Sequence, residues 1–139
     1  MAYLFGNKYF FSFLIFLPVI YIDQVSKFYL TTTCNPGMAF SLILPLGRFN
    51  IVLTFMVLLG ALYLFVKQRA RLSYAALVLI LSGGVSNLID RIMFGCVRDF
   101  IDFGFFVSFN IADSLISVGV ITIVILEITG KKKSNDLNH

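Results

Sequence analysis

Four long apolar stretches divide the chain, and short segments with charged or turn-forming residues separate them. A helix rises about 1.5 Å per residue, so about 20 apolar residues cross the roughly 30 Å of hydrocarbon in a bilayer. The pattern therefore predicts an all-α integral membrane protein with four transmembrane helices and two extracytoplasmic loops. The approximate helix ranges are 9–30, 50–66, 72–92 and 110–129. We expect one transmembrane domain over 1–139, with a disordered tail at 130–139.

The composition supports a membrane protein, since 59% of the residues are hydrophobic and only 13% are charged, against about 25% charged in soluble domains. The basic residues lie beside apolar stretches instead of along a solvated face, so we expect no nucleic-acid partner. Lys8, the segment 67–71 and Lys131 to Lys133 hold most of them. By the positive-inside rule, both termini and the 67–71 turn are predicted to be cytoplasmic.

The first predicted helix contains one acid and one base, Asp23 and Lys27, four residues apart. This spacing favours an ion pair near the outer helix end, with Lys27 snorkelling towards water. A functional role for Asp23 is the alternative, because acids are rare inside membranes. A cleaved signal peptide is a second alternative for the N-terminus, but these two charges interrupt its apolar run. We therefore interpret the helix as a permanent span.

The first outer loop, at 31–49, contains a strong turn signal at Asn35-Pro36-Gly37. The segment from Met38 to Leu44 is too short to span, and it is interpreted as either a short interfacial strand or a re-entrant segment. Cys34 and Cys96 both fall in predicted outer loops. Their pairing stays open, with free thiols as the default.

The stretch 83–116 contains four of the seven acids of the chain: Asp90, Asp99, Asp102 and Asp113. Each would cost roughly 2.5–3.5 kcal/mol at a bilayer centre, so they need water, partners or a function. In a helix, Asn87 and Arg91 share one face and Asp90 is adjacent to it. Asn110 is a favoured N-cap with Asp113 at the third helical position, and capping alone would explain both.

Carboxylates are the groups best placed for chemistry, because the sequence shows no metal-ligand cluster, no Gly-rich phosphate loop and only a terminal histidine. Two aspartates that share a proton can hydrolyse an amide. Asp99 and Asp113 can converge if the aromatic loop between them folds back, whereas Asp99 and Asp102 are too close in sequence. Structural ion pairs are the alternative explanation. The loop phenylalanines suggest a membrane anchor or a lid.

Five ordered blocks of the sequence resemble the signature blocks of signal peptidase II, the bacterial lipoprotein signal peptidase family. The blocks are Asp23 to Lys27, Asn35 to Ser41, Gly83 to Arg91, Val97 to Ile101 and Phe109 to Ser114. Ser86 stands where the family usually has glycine, and Met38 where a smaller residue is common. Both departures affect packing or pocket shape and remove no acid.

The resemblance implies an aspartyl protease of the bacterial cytoplasmic membrane that cuts prolipoproteins just before a cysteine carrying diacylglycerol. Asp99 and Asp113 match the catalytic pair. The residues matching substrate-binding positions are Asn35, Asn87, Arg91 and Asn110. Asp23, with Lys27 and Asp90, is expected to be structural. The implied small outer β-sheet, which we place in the first loop, is expected to be reduced because the loops are compact.

We expect the active site at the outer face, contacts with membrane lipid, no metal or cofactor, and a monomer. Two other functions stay open from the residues alone. A proton-coupled four-helix transporter needs an acid in the middle of a span, where only Asp23 is a candidate and Lys27 is its partner. A non-enzymatic assembly subunit is the second alternative, but this function would not explain why Asn and Asp occur in five ordered blocks.

Overall fold

Four helices and two short strands form the part of the chain that the computed structural model describes, which is residues 2–31, 33–36, 48–67, 71–105 and 107–136. The helices are α1 (Ala2–Leu30), α2 (Arg48–Lys67), α3 (Arg71–Phe94) and α4 (Ile111–Asp136). The strands are β1 (Thr33–Asn35) and β2 (Val97–Asp99). All four helices are long and apolar enough to cross a membrane, which confirms the predicted architecture.

The helices α1 and α4 extend furthest beyond their predicted ranges, and α1 begins at Ala2 instead of residue 9. The sequence predicts a disordered tail from residue 130, but α4 continues to Asp136.

The central helix is α3, which packs against α1, α2 and α4. Two glycines let α3 and α4 approach closely. A Cβ on Gly83 would lie 2.6 Å from the carbonyl oxygen of Ala112, and one on Gly119 would lie 2.7 Å from that of Ala76. The two helix backbones are therefore nearly in contact, as is common where small residues meet in membranes.

The interior is divided into an apolar region and a polar region. Phe65, Leu77 and Val78 form a buried apolar cluster. Polar side chains are buried nearer the loops, and those that are almost fully buried include Asp23, Lys27, Ser86, Asn87, Asp90, Asp99 and Asn110. Many apolar side chains of α1, α2 and α4 are exposed, as expected of surfaces that face lipid.

The C-terminal end of α3 is closed by Gly95, whose φ of +74° favours glycine. Its N–H donates to the carbonyl oxygen of Arg91 at 3.1 Å, which is a common helix ending. The chain then enters β2, which pairs antiparallel with β1 so that Cys34 faces Arg98 across the ladder. A small sheet is therefore present as predicted, but it pairs one strand from each loop instead of lying within the first loop.

A disulfide joins Cys34 and Cys96, so the default expectation of free thiols is wrong. The strand pairing brings the two Cα atoms to 5.6 Å, within the usual range for a disulfide. The predicted strand or re-entrant segment at 38–44 lies outside the described residues.

The loop between α3 and α4 folds back on itself, as the convergence of Asp99 and Asp113 requires. The N–H of Ile101 donates to the carbonyl oxygen of Phe109 at 2.9 Å, and the N–H of Phe109 donates back at 3.0 Å. This closure brings the end of β2 next to the start of α4.

Candidate active site

The two strands divide their side chains between a cavity and a supporting layer. Successive side chains of a strand point to opposite faces. Asn35, Val97 and Asp99 therefore lie on one face, where they line a cavity of about 750 Å³. Arg98 lies on the other face, away from that cavity. The cavity is also lined by residues of α2, α3 and α4.

Asp99 and Asp113 line this same cavity and are connected through Asn110. The Nδ2 of Asn110 donates to Asp99 Oδ1 at 2.7 Å. Its Oδ1 accepts the backbone N–H of Asp113 at 2.9 Å, which confirms that Asn110 caps α4. One asparagine thus fixes the acid at the end of β2 and the acid in the first turn of α4.

Asn87 and Arg91 share the cavity-facing side of α3, as their spacing predicts, whereas Asp90 points elsewhere. The Nδ2 of Asn87 donates to Asp113 Oδ1 at 2.7 Å. Arg91 interacts electrostatically with both Asp99 and Asp113. A cation and an amide donor therefore accompany the pair of acids.

The electrostatic environment favours a proton on Asp99. Burial, followed by the nearby charge of Asp113, raises the pKa of Asp99 to about 6, although hydrogen bonds from Asn110 and Asn35 oppose the shift. Asp99 is only 1% exposed. Two close acids in a poorly solvated site do not both ionise readily, so Asp99 keeps its proton to a higher pH than an exposed aspartate does.

A buried ionic cluster lies behind the site and includes the predicted ion pair. Lys27 Nζ lies 2.7 Å from Asp23 Oδ2 and 3.1 Å from Asp90 Oδ2. The prediction that Lys27 snorkels to water is wrong, because its side chain is completely buried. Two carboxylates and the Oδ1 of Asn87, at 2.8 Å, replace its hydration.

Three further members of this cluster received no role from the sequence: Gln24, Ser86 and Arg98. Arg98 Nη2 donates to Asp90 Oδ1 and to Gln24 Oε1, both at 2.8 Å. Ser86 Oγ donates to Asp23 Oδ2 at 2.7 Å, so the serine that replaces the usual glycine is hydrogen-bonded within the cluster. The sequence could have indicated the place of Arg98. Successive side chains of a strand point to opposite faces, so the neighbour of Asp99 is expected to point away from the site.

Asn110 and Asp102 lie away from the cavity wall. Asn110 is fully buried behind the acids, which favours a supporting role over the substrate contact expected from the sequence. Asp102 is exposed and accepts the N–H of Gly104 at 2.7 Å in the loop. Among the described residues, no group of three His, Cys, Asp or Glu side chains is arranged to hold a metal ion.

Comparison with known families agrees with the membrane-spanning architecture. A family model described as "Signal peptidase (SPase) II" matches residues 7–129. The chain belongs to the signal peptidase II family. It is therefore a multi-pass protease of a bacterial membrane, and the resemblance of its five sequence blocks to this family is confirmed.

Two members of this family align with most of the chain. The lipoprotein signal peptidase of Staphylococcus aureus (strain JH9) is 35% identical over an alignment of 160 positions, gaps included. The alignment covers 94% of this chain and 98% of the relative. That of Streptococcus thermophilus (strain CNRZ 1066) is 38% identical over 116 residues, covering 77% and 76%.

Two solved structures, both described as bacterial membrane enzymes, have similar folds. One has a TM-score of 0.80 at 31% identity and covers 88% of this chain and 90% of its own. The other has a TM-score of 0.72 at 31% identity, with coverage of 82% and 90%.

Proposed function

We propose that this chain is an aspartic endopeptidase that removes signal peptides from prolipoproteins carrying a diacylglyceryl cysteine, cutting just before that cysteine. The observation that carries the proposal is the meeting of Asp99 and Asp113 on one cavity wall, connected through Asn110. The proposal also draws on relatives named as lipoprotein signal peptidases.

In the proposed reaction, Asp113 is ionised and Asp99 carries the shared proton. Asp113 takes a proton from water as the water oxygen bonds to the scissile carbonyl carbon, while Asp99 protonates the carbonyl oxygen. Asp113 then passes its proton to the leaving amine of the cysteine, the C–N bond breaks, and Asp99 recovers a proton from the hydroxyl. The raised pKa of Asp99, about 6, supports this assignment.

The cavity wall suggests how a lipid-modified substrate is held. Below the acids, α2, α3 and α4 contribute apolar side chains, among them Val57, Ile80 and Val120. An apolar signal peptide or acyl chain matches such a wall by burying its own apolar surface. Asn35, Asn87 and Arg91 provide the polar groups for the substrate backbone and the lipid head.

We place the site at the outer face of the bacterial cytoplasmic membrane, with both termini in the cytoplasm. The basic turn at 67–71 and the lysines at 131–133 support this orientation. The disulfide joining the two loops supports it independently, since disulfides persist where the surroundings are oxidising.

The aromatic tip of the second loop is proposed to close over bound substrate. Phe103 and Phe105 are 59% and 88% exposed, and their rings stack at 6.2 Å. Exposed aromatic rings suit the headgroup layer, and closure would keep bulk water from the reaction. Accessibility labelling of the tip should fall when a substrate-like inhibitor binds, and unchanged labelling would remove the lid from the mechanism.

The proposed function is tested by replacing each acid with its neutral isostere. Asp99→Asn and Asp113→Asn should each lower cleavage of a diacylglyceryl-modified precursor by about 10²–10⁴-fold, because each removes a proton-transfer group. Asp102→Asn is the matched control from the same loop, and it should cleave normally. A parental rate in either dyad variant would refute the assignment.

A further inference from the structure

Lys27 contacts the proposed dyad indirectly, through Asn87. Its ammonium donates to Asn87 Oδ1 at 2.8 Å, and the Nδ2 of the same amide donates to Asp113 Oδ1 at 2.7 Å. Lys27 itself is fully buried and is not among the residues of the cavity wall. It therefore acts on the site through another side chain.

The contact with Lys27 determines which way the Asn87 amide points. An ammonium only donates, so it must face the amide oxygen, and the amide NH₂ is then directed at Asp113. Asn110 Nδ2, at 3.3 Å from the same oxygen, adds a second donor on that side. A reversed amide would place N–H groups against an ammonium and an oxygen against a carboxylate, so the network disfavours it.

Ionic pairing alone does not explain this contact. The cluster contains two acids, Asp23 and Asp90, and two bases, Lys27 and Arg98, so its charges balance without Asn87. The ammonium already has a carboxylate oxygen at 2.7 Å and another at 3.1 Å. Its third bond is directed to the asparagine that contacts the dyad.

We infer that Lys27 is a positioning residue for the cleavage reaction: through Asn87 it holds a hydrogen-bond donor against Asp113 and keeps that acid as the proton acceptor. This inference rests on the proposed function. An N–H donor stabilises an ionised carboxylate more than a protonated one, and the acceptor must be ionised when water attacks.

Any test must keep the charges around Asp113 balanced. The charged groups that act on it are Asp99 at the end of β2, Arg91 on α3, and Lys27 and Asp23 on α1. The double variant Lys27→Met with Asp23→Asn removes one charge of each sign together with the donor to Asn87. Lys27→Gln with Asp23→Asn has the same charge and keeps a donor, although on a side chain about one bond shorter.

Steady-state cleavage across pH should separate the two double variants. The methionine variant should lose about tenfold or more in kcat with less change in KM, and its acidic limb of kcat/KM should move to higher pH. The glutamine variant should recover part of both changes. Ser86→Ala, which removes a hydroxyl of the same cluster but leaves the Lys27–Asn87 bond, should keep the parental pH profile.

The inference is overturned if the two double variants have equal kcat and equal acidic midpoints, or if Ser86→Ala moves the midpoint as far as the methionine variant does. Asp113→Asn is measured in parallel. Activity retained in Asp113→Asn refutes the proposed function, whereas its loss beside an unaffected methionine variant refutes only the role of Lys27.

A measurement on the unmodified protein covers the case in which the methionine variant does not accumulate. With ¹⁵N-labelled asparagine, the side-chain amide signal of Asn87 should shift with pH at the same midpoint as the acidic limb of activity. A signal that stays constant through that pH range would overturn the inference.

Discussion

Asp90 holds Arg98 through both of its carboxylate oxygens. Oδ1 accepts Arg98 Nη2 at 2.8 Å, and Oδ2 accepts the backbone N–H of Arg98 at 3.0 Å. The next residue in β2 is Asp99, so this pair fixes the strand that carries one acid of the proposed dyad to α3. The guanidinium also lies over the ring of Phe94, 4.3 Å from its centroid.

This arrangement predicts that Asp90→Asn destabilises the protein more than Arg98→Gln. Loss of the Asp90 charge leaves Lys27 and Arg98 sharing the remaining acid of the cluster, and breaking a buried ion pair in this way costs about 3–5 kcal/mol. Loss of Arg98 leaves Asp90 still paired with Lys27, so the cost is smaller. Thermal unfolding in detergent micelles, followed by circular dichroism, measures both. Equal losses would contradict the central position of Asp90.

The disulfide between Cys34 and Cys96 should support both stability and turnover. It crosslinks β1, which carries Asn35, to the segment that leads into β2 and Asp99. Removing it with Cys34→Ser and Cys96→Ser should cost about 2–5 kcal/mol and lower the cleavage rate. A reductant should weaken the parent but not the double variant. Parental activity that persists after two free thiols are counted would contradict this prediction.

The close contact of α3 and α4 should not tolerate a single methyl group. Gly119→Ala would press its Cβ against the Ala76 carbonyl oxygen and Ile80, so we expect a loss of about 1–3 kcal/mol as the helices separate. Gly60→Ala is the matched control, because nothing lies within 4 Å of the added atom and the position is exposed. Melting temperatures of the two variants test this. Alanine is a better helix former than glycine, so Gly60→Ala should not lower the melting temperature, and a similar loss in both variants would show that the contact between α3 and α4 is not the cause.

Asp99→Asn should be more stable than the parent at alkaline pH. Because burial and the charge of Asp113 raise its pKa to about 6, the native state binds this proton more tightly than the unfolded state does. Stability from this group is therefore present at low pH and is lost as pH rises through about 6. The ionised acid costs the fold on the order of 3 kcal/mol above pH 7, since the pKa rises from 3.8 to about 6, and the amide avoids that cost.

Melting temperatures at pH 8 and pH 4.5 test the predicted direction of this pH dependence. The advantage of Asp99→Asn should be largest at pH 8 and should shrink at pH 4.5, while Asp102→Asn should follow the parent at both. An advantage that is the same at both values would mean that ionisation of Asp99 is not its source.

The four helices could be predicted from the sequence because a bilayer imposes both their length and their apolar character. The N-cap of α4 and the Asp23–Lys27 pair were equally accessible, since each depends on residues within one turn of helix. The pairing of Asp99 with Asp113 stayed one option among several, because it requires the loop between them to close through the Ile101–Phe109 bridge.

Contacts that join distant segments were the ones missed. Local sequence supplies Lys27 with only Asp23, so snorkelling was the natural expectation. The structure adds Asp90 and Asn87 from α3, about 60 residues away along the chain. The disulfide depended in the same way on the register of two strands from separate loops. Such pairings follow from tertiary packing, which a periodic pattern does not encode.

The alternation of side chains along β2 makes the site unusually sensitive to the length of the chain before it. Deleting Cys96, the one residue between Gly95 and Val97, would break the disulfide and, if the ladder re-forms, would also exchange the directions of Arg98 and Asp99. A guanidinium would then enter the reaction chamber, and a carboxylate would turn towards Asp90, which is already acidic. A shift of one residue in this strand would thus change the charge both in the cavity and in the buried ionic cluster.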